Sequence, residues 1–338
     1  MSVITIADTE IPPGNRTIIQ LPVANLYTHR QMDLPIHVIN GKQPGPRLFV
    51  CAAVHGDELN GVEIIRRLLK QKSLNNLRGS LIAIPVVNIF GLILHSRYLP
   101  DRRDLNRSFP GSKRGPLASR LANILTQTII SQCTHGIDLH TGAIHRHNLP
   151  QIRADLDDAQ TNDLAHAFGV PVLINANTRD GSLRETATNL GVKMLMYEAG
   201  EALRLDDLSI NAGVRGILNV MRKLEMIKAS KRRDNASEPF IARSSQWIRS
   251  PYSGIFRSKK RLGEYVDEGE LLGKIFDPTD IFGEVEYPVP AARSGVIIGK
   301  TNLPLVNEGD ALYHIASFEH GNEVALEVES FQQDMEPD

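Results

Sequence analysis

Four side chains that can bind or activate a metal stand where apolar runs of the sequence end. His55 and Glu58 follow one such run, His140 follows a second and Glu198 a third. Two imidazoles and one carboxylate are the protein ligands of a hydrolytic zinc site that leaves its fourth position to water. This ligand set suits zinc better than magnesium or calcium. The pattern predicts zinc bound by His55, Glu58 and His140, with Glu198 as the general base that accepts a proton from water.

The elements that must position these side chains are predicted to be the strands of a largely parallel sheet. Residues 47–54 form a nearly continuous apolar run, which is typical of a strand buried on both faces, and apolar residues then recur at helical spacing from Leu59 to Leu69. In open α/β sheets the ligand sites lie at the carboxyl ends of the strands. Antiparallel edge strands are predicted over residues 17–23 and 34–39, and further apolar strands over 80–87, 136–142, 170–174 and 194–200. Helices are predicted over residues 118–131 and 208–227.

Short spacings of this kind also occur without function. His320 and Glu323 repeat the spacing of the first pair, but they lie in a polar stretch with no buried strand before them. Glu201 competes with Glu198 as the acid at the end of its strand. Context therefore has to decide, and it favours the residues at strand ends.

Two aspartates are candidates to orient the histidines. Asp138 stands two residues before His140 on a predicted strand, so both side chains point to the same face. Asp57 lies between the first two ligands, where it either orients His55 or caps the helix that follows.

The composition is that of a soluble globular protein. The chain has 338 residues, 41% hydrophobic and 23% charged, and its length predicts two domains. A net charge of -1 argues against a general nucleic-acid or membrane binder. No apolar run approaches the roughly 18 residues of a membrane span, and the N-terminus lacks signal-peptide features, so a cytoplasmic location is expected. Cys51 and Cys133 are expected to be buried thiols.

The predicted organisation is a catalytic domain over residues 1–230, a polar linker over 231–242 and a β-sandwich domain over 243–330. Beyond the linker the sequence repeats at a distance of about 40 residues, an internal repeat that implies two similar β halves: Ser253-Gly254-Ile255 returns as Ser294-Gly295-Val296, and Val266-Asp-Glu-Gly269 as Val306-Asn-Glu-Gly309. The arrangement resembles the barrel-sandwich hybrid of biotinyl and lipoyl domains. No lysine stands at the expected hairpin, residues 277–280, which argues against a carrier role.

Taken together, four motifs resemble the succinylglutamate desuccinylase/aspartoacylase family, a branch of the zinc carboxypeptidase superfamily. The motifs, which follow one another in the family's order between about residues 45 and 225, are His55-Gly-Asp-Glu58, Asp104-Leu-Asn-Arg107 with Ser-Phe-Pro-Gly111, Asp138-Leu-His-Thr-Gly142 and Glu198-Ala-Gly200. The resemblance implies an α/β fold with a carboxypeptidase-like mixed sheet flanked by helices, followed by a C-terminal all-β barrel-sandwich domain.

The resemblance also implies roles for individual residues. One zinc ion per chain would be held by the three ligands named above, with Glu198 activating water and later protonating the leaving amine. Asn106 and Arg107 would hold a substrate carboxylate, and Arg97 would help to polarise the scissile carbonyl. A guanidinium offers a bidentate fork to a carboxylate and stabilises a developing oxyanion, so the chemistry agrees with these assignments.

Other arginines surround the same predicted site. Arg102 and Arg103 share the loop of Arg97, so the sequence leaves open which of the three faces the carbonyl, and Arg103 is also a candidate for substrate binding. Arg146 and Arg153 follow the third strand and are expected to face the pocket, with Arg153 as a further substrate-binding candidate. An arginine-lined cleft in a nearly neutral protein points to a small anionic substrate.

The predicted function is zinc-dependent hydrolysis of a small N-acyl amino acid or related amide. The alternative is a metallocarboxypeptidase or amidase that acts on short peptides with the same site. A third class of function is a metal-bound interaction protein without catalysis. A homo-oligomer is compatible with each of these three functions. The acyl group and the amine cannot be read from the sequence, because one methylene changes discrimination by only about 1–3 kcal/mol.

Overall fold

A computed structural model describes residues 3–176, 179–229, 239–242, 244–280 and 285–335 of the chain. Its first elements are β1 (Ile4–Ile6), β2 (Thr9–Ile11), β3 (Arg16–Asn25), β4 (Gln31–Asn40), β5 (Gln43–Ala52), α1 (Asn60–Leu69), β6 (Arg78–Ile84), α2 (Ile89–Ile93), α3 (Leu117–Thr128), β7 (His135–Gly142), β8 (Arg146–Ala154), α4 (Ala159–Phe168), β9 (Val172–Asn175), α5 (Leu183–Asn189), β10 (Lys193–Glu201) and α6 (Asp207–Lys223). The later elements are β11 (Phe240–Ala242), β12 (Ser244–Arg249), β13 (Gly254–Ser258), β14 (Tyr265–Val266), β15 (Leu271–Phe276), β16 (Glu286–Pro290), β17 (Gly295–Thr301), β18 (Leu305–Val306), β19 (Ala311–Ser317) and α7 (Gly321–Met335). Short 3-10 helices cover Lys72–Asn76, Leu105–Arg107 and Ile130–Gln132.

A mixed sheet runs through the molecule and confirms the predicted fold class. Its main path has the order β12-β19-β17-β8-β10-β7-β5-β6-β4-β3. The inner strands β10, β7, β5 and β6 are parallel to one another, while β3 and β4 form the predicted antiparallel pair at one edge. Because β5, β7 and β10 are parallel neighbours, their carboxyl ends meet at one edge of the sheet.

Strand β5 shows why the sheet needs helices on both faces. Leu48, Val50 and Ala52 point into one hydrophobic core, which also contains side chains of α1, α4 and α6. Phe49 and Cys51 point into a second core, which contains side chains of α3 and α5. Alternate residues of one strand thus fill two separate cores, as expected for a parallel strand covered on both sides.

The predicted repeat is present as two similar β units that interlock. Strands β13, β14 and β15 form the first unit, and β17, β18 and β19 form the second. Each unit pairs with the other, β14 with β17 and β18 with β13. The turns exchange equivalent contacts: the Glu268 N–H donates to Ser294 Oγ at 2.9 Å, and the Glu308 N–H donates to Ser253 Oγ at 2.9 Å. The pseudo-symmetry read from the sequence therefore holds in the structure.

The two parts of the chain are joined by more than a linker. Strand β17 pairs with β8 of the N-terminal part, and helix α7 returns to pack Phe331 and Met335 into the core beneath α6. Of the predicted linker, residues 240–242 form β11, which pairs with β9, and residues 231–238 lie outside the described residues. The division at 230 and 243 stays a prediction. No helix in the described part of the chain is both long and apolar enough to span a membrane.

Candidate active site

The three predicted metal ligands lie together at the carboxyl ends of neighbouring strands. His55 and Glu58 occupy the loop between β5 and α1, and His140 lies near the end of β7. All three are buried, and one ligand atom from each lies within 4.8 Å of the others. The Nδ1 atoms of His55 and His140 stand 2.8 and 2.7 Å from the two carboxylate oxygens of Glu58. The sheet therefore brings together residues that are up to 85 positions apart in the sequence.

The outer nitrogen of each histidine is held by an aspartate. Asp104 Oδ1 lies 3.1 Å from His55 Nε2, and Asp138 Oδ2 lies 2.8 Å from His140 Nε2. Such pairs fix the tautomer and the orientation of a ligating imidazole, and here they leave both Nδ1 atoms facing Glu58. The Cys51 thiol donates to the other oxygen of Asp138 at 3.3 Å.

Asp57 makes neither of the contacts considered for it from the sequence. Helix α1 begins without a side-chain cap, and both nitrogens of His55 are occupied by Glu58 and Asp104. The oxygen Oδ1 of Asp57 is buried without a hydrogen-bond partner among the described residues. Both proposed roles for Asp57 were therefore wrong, because the carboxylate that orients His55 comes from a distant loop.

The charged groups of the cluster shift one another's pKa values. Burial alone would raise the pKa of Glu58, but the imidazoles of His55 and His140 hold it far below its usual range. Burial lowers the pKa of His140, yet the carboxylates of Asp138 and Glu58 outweigh that effect and raise it well above its usual value. The pocket is thus arranged to keep Glu58 ionised and to stabilise positive charge beside it.

Glu198 lies next to the ligand cluster, in register with His140 on the adjacent parallel strand. The Nδ2 group of Asn148 donates to one of its carboxylate oxygens at 2.9 Å, and Arg153 Nε lies 3.3 Å from the other. Both partners come from β8, which runs antiparallel on the far side of β10. Glu198 therefore has a hydrogen bond at one oxygen and an ion pair at the other while it faces the cavity.

These residues line a cavity of about 490 Å³. Its only acidic lining residues in the described part of the chain are Glu58 and Glu198. Its lining arginines are Arg97, Arg107, Arg146, Arg153, Arg179 and Arg184. The excess of guanidinium groups creates a positive field that attracts anions.

The structure places the three arginines of this loop, Arg97, Arg102 and Arg103, differently with respect to the cavity. Arg97 lines the cavity and reaches the predicted ligands, donating to Asp104 at 2.9 Å and lying 3.4 Å from Glu58. Arg102 and Arg103 are exposed and do not line the cavity, and the Arg103 N–H instead donates to Asp101. Of the three candidates to face a scissile carbonyl, only Arg97 has a side chain in the cavity.

Asn106 and Arg107 line the cavity as predicted. Asn106 is buried, and its Oδ1 accepts the N–H of Leu183, so its Nδ2 group is the part that can donate to a ligand. Arg107 donates to the backbone oxygen of Asn106 at 2.5 Å. The pair therefore presents amide and guanidinium donors side by side.

Several lining residues were missed from the sequence. Asn148 holds Glu198 directly, and Arg184 is buried in the wall. Trp247 and His314 come from β12 and β19 in the C-terminal part, and their rings stack with centroids 4.6 Å apart. Arg146 lies 5.5 Å above the Trp247 ring. Strand β8 carried no apolar alternation that would have signalled it, and the two aromatic residues carry no local signal for this contact.

Comparison with known proteins identifies the family of the chain. Residues 44–224 match the model of the succinylglutamate desuccinylase/aspartoacylase catalytic domain, so the chain belongs to that family. An N-alpha-acetyl-L-2,4-diaminobutyric acid deacetylase from Halomonas elongata is 26% identical over 321 residues, 91% of this chain and 93% of that protein. Family and relative together make the chain a deacylase, a hydrolase that removes acyl groups.

Solved structures show the same fold over nearly the whole chain. A succinylglutamate desuccinylase/aspartoacylase from Rhodobacter sphaeroides is 25% identical, with a TM-score of 0.79 over 90% of this chain and 95% of that one. A product-bound ectoine utilization protein from Ruegeria pomeroyi is 22% identical, with a TM-score of 0.82 over 93% of this chain and 98% of that one, and supports the fold alone. The family and fold predicted from the sequence are confirmed.

Proposed function

We propose that the protein is a zinc-dependent deacylase that hydrolyses the amide bond of a small anionic N-acyl amino acid or a related amide. The observation that carries this proposal is the convergence of His55, Glu58 and His140 beside Glu198 in one arginine-lined cavity. The relative from Halomonas elongata is named as a deacetylase of an N-acetylated amino acid, which supports the same reaction class.

The donor set fits a single zinc ion. His55 and His140 would contribute Nδ1, because carboxylates already hold their outer nitrogens, and Glu58 would contribute carboxylate oxygen. Two nitrogen ligands and one oxygen ligand are a usual protein set for catalytic zinc. Zinc bound there would lower the pKa of a water molecule to about 7 and polarise a carbonyl.

Glu198 is assigned the proton transfers. Its carboxylate accepts the proton of the attacking water and returns it to the amine nitrogen as the amide bond breaks. The hydrogen bond from Asn148 and the ion pair with Arg153 engage its two oxygens, which supports a fixed orientation of the carboxylate in the cavity. Arg97, beside Glu58, is assigned to stabilise the negative charge that develops on the carbonyl oxygen.

The remaining arginines are assigned to the substrate. Arg107 and the Nδ2 group of Asn106 would bind the carboxylate of the amino-acid part, since both line the cavity. Arg153 would contact the substrate from the Glu198 side. Arg103 was predicted to take part as well, but its place outside the cavity gives that assignment no support.

The size of the cavity favours small substrates over peptides. A volume of about 490 Å³ lies in the range of small-molecule pockets, about 300–1,000 Å³. Ser245, Trp247 and His314 from the C-terminal part contribute to its wall. We therefore place the peptide-directed carboxypeptidase second.

Glu198→Gln is the decisive variant. The purified wild type should release amine from at least one member of a panel of N-acetyl and N-succinyl amino acids, and lose that activity when a chelator removes zinc. The variant should keep stoichiometric zinc and lose turnover, because glutamine cannot accept the proton. A dipeptide panel serves as the comparison for the alternative function. Full activity of the variant, or wild-type protein without zinc, would refute the proposal.

Three broader predictions remain part of this proposal. The catalytic machinery is assigned to residues 1–230, with one zinc ion per chain, and the part after residue 243 to a β-sandwich domain. The cytoplasm is the proposed compartment, since the two cysteines are buried free thiols. No nucleic acid or membrane is proposed as a partner, and a homo-oligomer is compatible with the site.

A further inference from the structure

A row of paired residues leads from the C-terminal part of the chain to Glu198. Trp247 on β12 pairs with His314 on β19, His314 pairs with Gly299 on β17, and Gly299 pairs with Asn148 on β8. Residues that pair across adjacent strands point to the same face of the sheet. Asn148 then donates to Glu198. Four strands thus align side chains in one line that ends at the proposed base.

Gly299 is the position in this row where a side chain has no room. A Cβ atom there would lie 2.9 Å from Asn148 Oδ1 and 3.2 Å from the Cβ of His314. Gly299 is not among the glycines with positive φ, so its backbone does not require glycine. The close approach of Asn148 and His314 therefore explains why this position holds a glycine.

The clash would fall on the group that holds Glu198. The Asn148 amide donates through Nδ2 to Glu198 Oε2 at 2.9 Å, while its Oδ1 lies against Gly299. The two ends of one planar amide are thus fixed by Glu198 on one side and by β17 on the other. Any displacement of Oδ1 rotates or shifts the Nδ2 donor as well.

We infer that Gly299 is a positioning residue for the hydrolysis: its missing side chain lets the Asn148 amide lie against β17 and hold the Glu198 carboxylate towards the metal ligands. The C-terminal part of the chain thereby sets the position of the proton acceptor, in addition to walling the cavity. The inference rests on the role proposed for Glu198.

A double-mutant cycle tests it. Gly299→Ala should lower kcat by about threefold to tenfold. The contact at 2.9 Å is relieved by a shift of a few tenths of an ångström, and a misplacement of about 1 Å in an active site costs about a hundredfold. KM and zinc content should stay unchanged, because the substrate-binding arginines and the ligands are not displaced. Asn148→Ala should lower kcat by a similar factor. The double variant should be no slower than Asn148→Ala, because without the amide the new methyl group has nothing to displace.

Controls separate positioning from general packing damage. Lys300→Ala changes the next residue of β17, whose side chain lines a separate cavity with His147 and Tyr265, and should keep wild-type kcat. The double variant also removes the contact with Asn148 Oδ1 while the contact with the Cβ of His314 remains, so it should recover part of the Tm lost in Gly299→Ala and stays measurable if that single variant does not fold.

The inference is overturned if Gly299→Ala keeps wild-type kcat, if the two effects multiply in the double variant, or if Asn148→Ala alone is as fast as wild type. Failure of the proposed function gives a different result, since wild type and Glu198→Gln would then release amine at the same rate.

Discussion

Asp138 offers the sharpest test of how the protein prepares its metal ligands. Its side chain is completely buried, with one oxygen 2.8 Å from His140 Nε2 and the other accepting the Cys51 thiol. Asp138→Asn keeps the shape of the side chain and removes its charge. The imidazole of His140 then loses the carboxylate that increases its basicity and fixes its orientation.

The size of the expected effect follows from this burial. Replacing the outer partner of a ligating histidine lowers metal affinity by about 10- to 100-fold, which corresponds to about 1.4–2.7 kcal/mol. The amide oxygen of asparagine can still accept the hydrogen bond, so the loss comes from the missing negative charge, which no water can replace at a residue that is 0% exposed. We therefore expect a loss towards the upper end of the range, together with an unchanged cavity shape.

The measurement is a zinc titration of metal-free protein in competition with a chromophoric chelator. Wild type and Asp138→Asn are compared at one pH, with circular dichroism to verify folding. Asp57→Asn is the matched control, because this neighbouring carboxylate is not among the hydrogen-bond partners of either histidine, and its substitution should change the Kd for zinc much less than Asp138→Asn does. If Asp138→Asn binds zinc within twofold of wild type, the assignment of Asp138 as the orienting group is refuted.

Two further predictions concern the cavity wall. Arg107→Ala should lower kcat/KM for an anionic substrate by about 10- to 100-fold, which is the contribution of a charge-assisted hydrogen bond. Arg103→Ala should change kcat/KM less than about twofold, because this residue lies outside the cavity. Equal effects of the two variants in steady-state assays would contradict the different placement of these loop arginines. Burial and the nearby Arg153 lower the pKa of His314 to about 3 in the folded protein, compared with about 6.5 in the unfolded chain. Below pH 6.5 the unfolded chain therefore takes up a proton that the folded protein does not, and the free energy of unfolding falls with the pH. We expect the free energy of unfolding of metal-free wild type to fall by about 2 kcal/mol more than that of His314→Gln between pH 6.5 and about 5, as measured by denaturant unfolding. If the free energies of the two proteins fall in parallel with pH, the prediction is wrong.

The cluster of predicted ligands was accessible to sequence reasoning because its residues follow two buried strands, β5 and β7. His55, Glu58 and His140 stand where apolar runs stop, and parallel strands bring such positions to one edge of a sheet. The same logic placed Glu198 beside His140. For these residues the apolar run that precedes each one in the sequence is also a strand of the parallel sheet, so the sequence pattern predicts where the side chain lies.

The rest of the site depends on contacts that have no local pattern. Strand β8 contains Pro150 and buried polar residues such as Asn148 and Gln151, so it lacks the alternation by which strands are recognised. Trp247 and His314 reach the cavity only because β17 joins the sheet. Arg103 is exposed outside a cavity that Arg107 lines, and it follows a turn at Arg102, whose φ is 61°.

The pairing of β8 with β17 also governs when the protein becomes complete during synthesis. The Thr301 hydroxyl donates to the backbone oxygen of His145, a contact between residues 156 positions apart in the sequence. Contacts between such distant residues form late, because a long loop must close first. Strand β9 covers residues 151–154 of β8, so until β17 emerges the edge at residues 146–148 stands open, and exposed strand edges invite pairing with other chains. Synthesis beyond residue 301 therefore both completes the wall of the cavity and closes a strand edge that the nascent chain leaves exposed.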